Sequence, residues 1–297
     1  MNNENLGKLI TESPNPKSSN LDSMSVSEIL HLMNEEDEKI IHTIKEVIPQ
    51  IEKAINLIVL SLQTGGKVFY VGAGTSGRIA IMDAVELLPT FSSNDDFKAI
   101  IAGGESAFIK AVEGAEDKEE LAINDLINNH FSEKDVVCSI AASGRTPYCI
   151  GALKYAKKIN AKAISISCNK NSQMSKFSDV AIEVCAGEEI LTGSTRLKAG
   201  TAQKMILNMI STTSMIMIGK VYKNFMVDMQ ATNQKLVDRS KRIIMNATNC
   251  SEETALKNLS FANGSIKCAI VMILTNKNKN DSLELLKQNK GFVRKCL

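Results

Sequence analysis

Short apolar runs alternate with amphipathic stretches through the middle of the chain. The runs are short and rich in β-branched residues, as the strands of a buried parallel sheet are, and the stretches between them have helical spacing. The predicted strands are residues 67–71, 98–102, 135–140, 162–167 and 179–184. This alternation predicts an α/β fold with a doubly wound parallel sheet, whose ligand crevice lies at the carboxyl ends of the strands.

Helical patterns flank the predicted sheet on its N-terminal side. The residues up to about 24 are polar and turn-rich, which predicts an arm. Ser25 or Ser27 can cap a short helix that extends to Met33. A long amphipathic helix is then predicted from Asp37 to Leu62.

The C-terminal part of the chain has a short, wholly helical pattern from Asp238 onward. Cap residues are predicted at Ser251 and Asp281, and Gly264 separates two of the helices. The pattern predicts a small appendage of three helices.

Composition narrows the classes of function. The 297 residues carry 35 basic and 33 acidic side chains. The sequence contains no Lys/Arg block of the kind that binds nucleic acid, so a nucleic-acid partner is not expected. The longest apolar stretch, 205–218, is interrupted by polar residues, which indicates a helix buried in the core or at a subunit interface rather than in a membrane. Seven cysteines without C-x-x-C spacing indicate reduced thiols in the cytoplasm, and no metal site is expected.

Two glycine turns carry the candidate chemistry. The turns Gly72–Arg78 and Ala142–Pro147 each follow a predicted strand and begin a predicted helix. A helix start presents unpaired N–H groups and the positive end of the helix dipole, a combination that binds phosphate. The polar side chains that can assist in these turns are Thr75, Ser76, Ser143, Arg145 and Thr146. The paired turns therefore predict a phosphorylated small molecule as the ligand, with no metal required.

The first turn also matches G-x-G-x-x-G, so a dinucleotide site is an alternative. Such a site needs an acidic residue at the end of the next strand, and that strand ends in Gly103-Gly104 with Glu105 just beyond. A P-loop is excluded because no Gly-Lys-Ser/Thr follows either turn. A tight strand-to-helix corner without ligand also stays open for either turn taken alone.

Two carboxylates near the turns are candidate acid–base groups. Glu86 follows Val85 on the helix predicted after the first turn, and Pro89 is expected to end that helix. Apolar neighbours would favour the neutral, proton-donating form of Glu86 by desolvation. Glu116 belongs to a crowded acidic turn, in which repulsion between like charges favours protonation of one member. The alternative for both residues is an ordinary solvated acid.

A third polar segment precedes the apolar helix. Ser194 and Thr195 can cap that helix or bind sugar hydroxyls. Arg196 and Lys198 can neutralise a phosphate or carboxylate, although basic residues at such positions are commonly only solvated.

These segments together resemble the sugar isomerase (SIS) superfamily and, within it, the N-acetylmuramic acid 6-phosphate etherase family. The similarity covers nearly the whole chain. The matching stretches are residues 9–16, 71–78, 101–105, 111–117, 140–148, 192–204 and 224–233. The resemblance implies that Glu86 and Glu116 are the catalytic pair. Residues 83–90 depart from the family pattern, because Leu87 and Leu88 stand where the family commonly has Cys-Pro.

The resemblance also implies the activity and the assembly. The implied enzyme is a lyase that removes D-lactate from N-acetylmuramic acid 6-phosphate and leaves N-acetylglucosamine 6-phosphate, without a cofactor, in recycling of cell-wall amino sugars. A cytoplasmic homodimer is expected, with an arm and helix over residues 1–50, a SIS sugar-phosphate domain over 51–225 and a UBA-like helical domain over 226–297. Two alternatives remain: a non-catalytic sugar-phosphate sensor and an aldose–ketose isomerase.

Overall fold

The computed structural model describes residues 7, 9–93, 95–110, 112–229 and 234–297. Two of the matched stretches therefore extend outside the described residues, at Ala111 and at 230–233. The chain divides into two compact units. The first comprises Met1–Ala84 and Asp95–Ile210, and the second comprises Val85–Asn94 and Ser211–Leu297. The three-domain division expected from the sequence stays a prediction.

The helices and strands of the described residues follow the predicted alternation. In chain order the strands are β1 (Val68–Gly72), β2 (Phe97–Ile101), β3 (Val136–Ile140), β4 (Lys162–Ser167), β5 (Val180–Glu183), β6 (Val221–Tyr222) and β7 (Phe225–Met226). The helices are α1 (Val26–Gln63), α2 (Gly74–Val85), α3 (Leu87–Phe91), α4 (Ser106–Ile109), α5 (Glu119–Asn128), α6 (Pro147–Lys158), α7 (Lys198–Met217), α8 (Gln234–Thr248), α9 (Glu252–Phe261), α10 (Ile266–Thr275) and α11 (Lys279–Gln288).

The first unit is built on a parallel sheet of order β2-β1-β3-β4-β5. This confirms the predicted α/β fold with its five strands. The central strands β1 and β3 are buried along their whole length, which explains their continuous apolar runs. Gly72 of β1 pairs with Ile140 of β3, so the turns that follow these two strands begin side by side.

The long N-terminal helix differs from the prediction. Residues 26–63 form one helix, α1, so the predicted second start at Asp37 is wrong. Ser25 is the N-cap of α1 and forms a capping box with Glu28. Of the two caps predicted, Ser25 and Ser27, the structure has the first. The residues between Met33 and Asp37 include no glycine or proline, and helical hydrogen bonding therefore continues through them.

The core beside the sheet lies against α5 and α6. Phe69 and Val137 from the strands pack with Leu126, Tyr148 and Leu153 from the helices. Each side chain of this size contributes about 1.5–3 kcal/mol when fully buried. The same packing fixes the start of α6, which bears the second turn.

The second unit has its own core. Four helices, α8 to α11, occupy the region where three were predicted. Ser251 caps α9 as predicted, but the predicted cap at Asp281 is wrong because Asn278 caps α11 by accepting a hydrogen bond from the Asp281 N–H. Across the described ranges, no single helix is long and apolar enough to cross a membrane; α9 and α10, bent by 116°, meet that test only as a pair.

Candidate active site

The first turn is shaped by close backbone packing. A Cβ atom on Gly72 would lie 2.9 Å from the amide nitrogen of Gly77, so glycine is required where β1 passes into α2. Gly74 begins α2 with φ of +52°, in the left-handed region that favours glycine. Thr75 is half-buried at this helix start. The buried Ser76 donates its hydroxyl hydrogen to Oε1 of Gln203 at 2.8 Å, so this hydroxyl already has a structural partner.

The second turn holds Ser143 in a position to donate. Gly144 has φ of +67°, and a Cβ atom there would lie 2.4 Å from Cβ of Ser172. Oγ of Ser143 accepts a hydrogen bond from the Arg145 N–H at 3.2 Å, which leaves the hydroxyl hydrogen available to a ligand. Thr146 is the N-cap of α6, and its side chain makes no capping hydrogen bond. Ser143, Arg145 and Thr146 are all half-buried.

The third segment lies against the first turn. A Cβ atom on Gly200 would be 3.4 Å from Cγ2 of Thr75 and 3.5 Å from the carbonyl oxygen of Thr195. The predicted capping of α7 by Ser194 or Thr195 is wrong. Instead, Glu189 accepts the N–H groups of Lys198 and Ala199, both at 2.9 Å.

Burial of the Glu189 carboxyl raises its pKa, and the two backbone donors act against this shift. The cap leaves the hydroxyls of Ser194 and Thr195, both half-buried, for another role.

Lys198 has a different environment from the one predicted. Its Nζ lies 2.7 Å from Oε2 of Glu36, and both side chains are almost completely buried. Although burial raises the pKa of Glu36, hydrogen bonds from Lys198 and Lys39 lower it to about 2. Lys198 is thus a structural ion-pair partner, whereas Arg196 is exposed. We therefore do not include Lys198 in the phosphate site.

A cavity of about 190 Å³ places Glu116 beside the first turn. Its lining includes Gly74 and Arg78 from the start of α2 and Glu116 from the 3₁₀ helix Ala115–Asp117. Nε of Arg78 donates to the carbonyl oxygen of Phe108 at 2.9 Å. Glu116 is exposed to solvent, so its carboxylate can receive a ligand at the cavity.

Glu86 lies directly after α2, in the segment that belongs to the second unit. Its side chain is exposed. Of its apolar neighbours Leu87 is buried, but Val85 and Leu88 are 58% and 48% exposed, so the expected apolar enclosure is not found among the described residues. Pro89 does not end the helix as predicted. It lies in the first turn of α3, where proline is tolerated.

Several site residues were missed by the sequence analysis. Asn169, which is 3% exposed, forms hydrogen bonds with the backbone of the arm and of the second turn. Glu189 caps α7. Both act across long sequence separations, and neither stands in a local motif. Glu36 carried a usable signal, because it falls at helical spacing with the buried residues Ile40 and Ile44. Within the described residues, no group of three or more His, Cys, Asp or Glu is placed to hold a metal ion.

Comparison with known proteins identifies the family. A model described as glucokinase regulatory protein N-terminal SIS domain matches residues 50–157, and the SIS domain model matches residues 115–213. A crystal structure of a protein from Listeria monocytogenes is 17% identical with a TM-score of 0.50, over 65% of this chain and 92% of that one, and shows the fold alone.

The curated relatives are more similar in sequence. Proteins from Bacillus cereus (strain G9842) and Bacillus cytotoxicus, both named N-acetylmuramic acid 6-phosphate etherase, are 56% identical to this chain over 293 residues. The matches cover 98% of this chain and 100% of each relative. The chain therefore belongs to the N-acetylmuramic acid 6-phosphate etherase family.

Proposed function

We propose that the protein is a carbon–oxygen lyase that removes D-lactate from C3 of N-acetylmuramic acid 6-phosphate and yields N-acetylglucosamine 6-phosphate. The full-length similarity to etherases supports the substrate. The observation that carries the proposal is geometric: two helix starts with hydroxyl side chains begin side by side at β1 and β3, with Glu116 on a cavity next to the first.

The phosphate binds at the two helix starts. Ser143 donates its free hydroxyl hydrogen, Thr75 and Thr146 add hydroxyls, and backbone N–H groups of α2 and α6 supply the remaining donors. Arg145 adds positive charge to the second turn, and Ser76 contributes through its backbone since its side chain bonds Gln203. Ser194 and Thr195 bind hydroxyl groups of the sugar.

The chemistry needs only proton transfers. In the open-chain sugar the C1 aldehyde acidifies the C2 proton, so a carboxylate removes it and the C3–O bond breaks as an acid protonates the departing lactyl oxygen. Water then adds at C3 of the unsaturated aldehyde, and a proton returns to C2. We assign the two acid–base roles to Glu86 and Glu116. Holding the substrate by its phosphate supplies the orientation, which contributes up to about 7–11 kcal/mol in well-oriented reactions.

The test follows solvent oxygen and solvent hydrogen. In H₂¹⁸O the label is expected at C3 of N-acetylglucosamine 6-phosphate and not in the lactate, and in D₂O deuterium is expected at C2. The variants Glu86→Gln and Glu116→Gln should each release lactate about 10²- to 10⁴-fold more slowly while still binding substrate.

The roles of the two glutamates separate in the same assay. A variant that loses C2 exchange lacks the base, and one that keeps exchange but releases no lactate lacks the acid. Conversion of an aldose 6-phosphate with a C2 hydroxyl into its ketose, without lactate release from N-acetylmuramic acid 6-phosphate, would instead establish an aldose–ketose isomerase. Binding of hexose 6-phosphates without any turnover would establish a sensor. Near-normal lactate release from Glu86→Gln would contradict the proposed pair.

We further propose a homodimer in the cytoplasm. On α1, the exposed residues Leu30, Ile41 and Ile48 lie within roughly 20° of one another around the helix axis, since 3.6 residues make a turn. Val26, which is 75% exposed, continues this stripe toward the start of the helix. An apolar stripe on a long helix is a suitable surface for a second copy of the chain around a two-fold axis.

A further inference from the structure

The N-terminal arm is fixed to the first unit on both sides of Glu12. On one side, Oδ1 of Asn169 accepts the Ile10 N–H at 2.9 Å, and Nδ2 of Asn169 donates to Oγ1 of Thr11 at 3.1 Å. On the other side, Nδ2 of Asn15 donates to Oε2 of Glu36 at 3.0 Å and to the carbonyl oxygen of Glu188 at 3.3 Å. Thr11 and Asn15 are 2% and 4% exposed. The residue between these anchors therefore has a defined position.

The same anchors connect the arm to the phosphate turns. Nδ2 of Asn169 also donates to the carbonyl oxygen of Ala142 at 3.0 Å, and Ala142 begins the second turn. At the other end, a Cβ atom on Gly193 would lie 3.2 Å from Oε2 of Glu12. Gly193 precedes Ser194 and Thr195, the segment that packs on the first turn through Gly200. The arm thus closes a ring of contacts that contains both turns and the third segment.

Glu12 is a residue of this ring whose carboxylate has no partner within the described part of the chain. Its side chain is exposed, and among the described residues its carboxylate has no hydrogen bond or ion pair. An ionised carboxylate only accepts hydrogen bonds, so a matching ligand group must be a hydroxyl or an N–H. An amino sugar offers both, and its phosphate is engaged elsewhere, at the helix starts.

We propose that the arm residues 9–15 form a wall of the sugar-phosphate site and that Glu12 contacts the sugar, where it accepts a hydrogen bond from a hydroxyl or amide N–H. This role rests on the proposed function, because the sugar is the one assigned there. Asn169 is a positioning residue, which fixes Glu12 relative to the second turn. Such a preorganised acceptor favours sugars that carry the donor over phosphate esters that lack it.

The test separates contacts to the sugar from contacts to the phosphate. Calorimetric titration of the full chain with N-acetylglucosamine 6-phosphate and with inorganic phosphate measures both without requiring turnover. We expect Glu12→Gln to weaken binding of the sugar phosphate about 10-fold, because a neutral amide oxygen replaces the charged acceptor and neutral hydrogen bonds are roughly half as strong as charge-assisted ones, and to leave the affinity for inorganic phosphate unchanged. Asp22→Asn, which changes another exposed carboxylate of the arm, is the matched control and should bind both ligands as the parent does.

Three results would overturn the proposal. Unchanged binding of the sugar phosphate by Glu12→Gln would remove the contact, and an equal loss for both ligands would show that Glu12 acts on the turns instead. An effect of similar size in Asp22→Asn would show only a general charge effect. A parent chain that binds the sugar phosphate but releases no lactate from the proposed substrate would contradict the proposed lyase while leaving the role of Glu12 supported.

Thr11→Val tests the anchoring separately. It removes the hydroxyl that accepts from Asn169 while keeping the side-chain volume, and Thr11→Ser restores that hydroxyl. We expect Thr11→Val to raise the KM for N-acetylmuramic acid 6-phosphate with a smaller effect on kcat, and Thr11→Ser to recover the parent value. Parent-like KM in Thr11→Val, with the thermal unfolding midpoint lowered, would assign the arm a purely structural role.

Discussion

The hydroxyl groups at the two helix starts differ in what they already bind. Ser76 is buried and bonds Gln203, whereas Ser143 accepts from the Arg145 N–H and keeps its hydrogen for a ligand. The two serines lie in equivalent turns, but we expect Ser76 to stabilise the fold and Ser143 to bind the ligand. The distinction depends on the side-chain partner and not on the motif.

Replacing the two serines by alanine should separate these functions. Ser143→Ala is expected to weaken binding of hexose 6-phosphates by about 1.5–3 kcal/mol, the value of a hydrogen bond to a charged group, without lowering the free energy of unfolding. Ser76→Ala should lower the free energy of unfolding by about 1–3 kcal/mol, because it leaves a buried acceptor on Gln203 without its donor. Titration calorimetry and urea unfolding of both variants provide the measurements. Unchanged affinity in Ser143→Ala would contradict the phosphate assignment of the second turn.

At the scale of elements, the ion pair between Glu36 and Lys198 connects α1 with the start of α7. Both side chains are buried, and Lys17 and Lys39 also approach Glu36. Removing one member of such a buried pair leaves an uncompensated charge, which costs about 3–5 kcal/mol. The pair therefore makes the position of α7 depend on an intact arm and α1.

The pH dependence of stability should report this pair. The pKa of Glu36 is about 2 in the folded protein, below its ordinary value of 4.5, so the stabilisation is complete above pH 4.5 and is lost as the pH falls toward 2. Glu36→Gln is expected to unfold more easily at pH 7 and to lose less further stability between pH 4.5 and 2 than the parent.

Urea unfolding across this pH range measures both effects. Glu35→Gln changes the exposed neighbouring carboxyl. Its free energy of unfolding should decrease with falling pH as steeply as that of the parent. If the free energy of unfolding of Glu36→Gln decreased between pH 4.5 and 2 as much as that of the parent, the assigned pKa would be contradicted.

The elements show what the sequence can predict. Alternating periodicity predicts the five strands, and glycine with hydroxyl residues predicts both turns, because these are local patterns. The acidic run around Glu36 suggests a solvated face, yet helical spacing turns Glu36 inward with Ile40. Asn169 and Glu189 find their partners only once the chain is folded, so no local pattern encodes them. The apolar run around Glu86 predicts an enclosed carboxyl, yet Val85 and Leu88 are exposed and only Leu87 turns into the core.

At the scale of the whole molecule, the exposed stripe of α1 is the surface we assign to the second copy. The apolar residues of α7 offer less for this purpose, because Ile206, Leu207 and Ile210 are completely buried. The sequence predicts that this apolar helix is buried either in the core or at a subunit interface. The structure favours the core for these three residues.

Negative charges placed on the exposed stripe of α1 should prevent formation of the dimer. The double variant Ile41→Glu with Ile48→Glu is expected to sediment as a monomer at micromolar concentration, while the parent sediments as a dimer. Leu60→Glu is the matched control, since Leu60 is 61% exposed on α1 but lies roughly 120° around the helix from Leu30. Sedimentation velocity at equal concentrations compares the three proteins. A monomeric parent, or dissociation by Leu60→Glu alone, would contradict this interface.

The close-packed glycines of the two turns determine where substrate range can be engineered. A side chain at Gly72 or Gly144 would displace backbone or a neighbouring residue, so libraries that vary these positions would yield mainly misfolded clones. Thr75 and Thr146 have more room at the same helix starts, because each is half-buried and neither is among the close contacts of Gly72 or Gly144. Directed evolution toward other phosphorylated sugars should therefore randomise the hydroxyl positions and keep the glycines fixed.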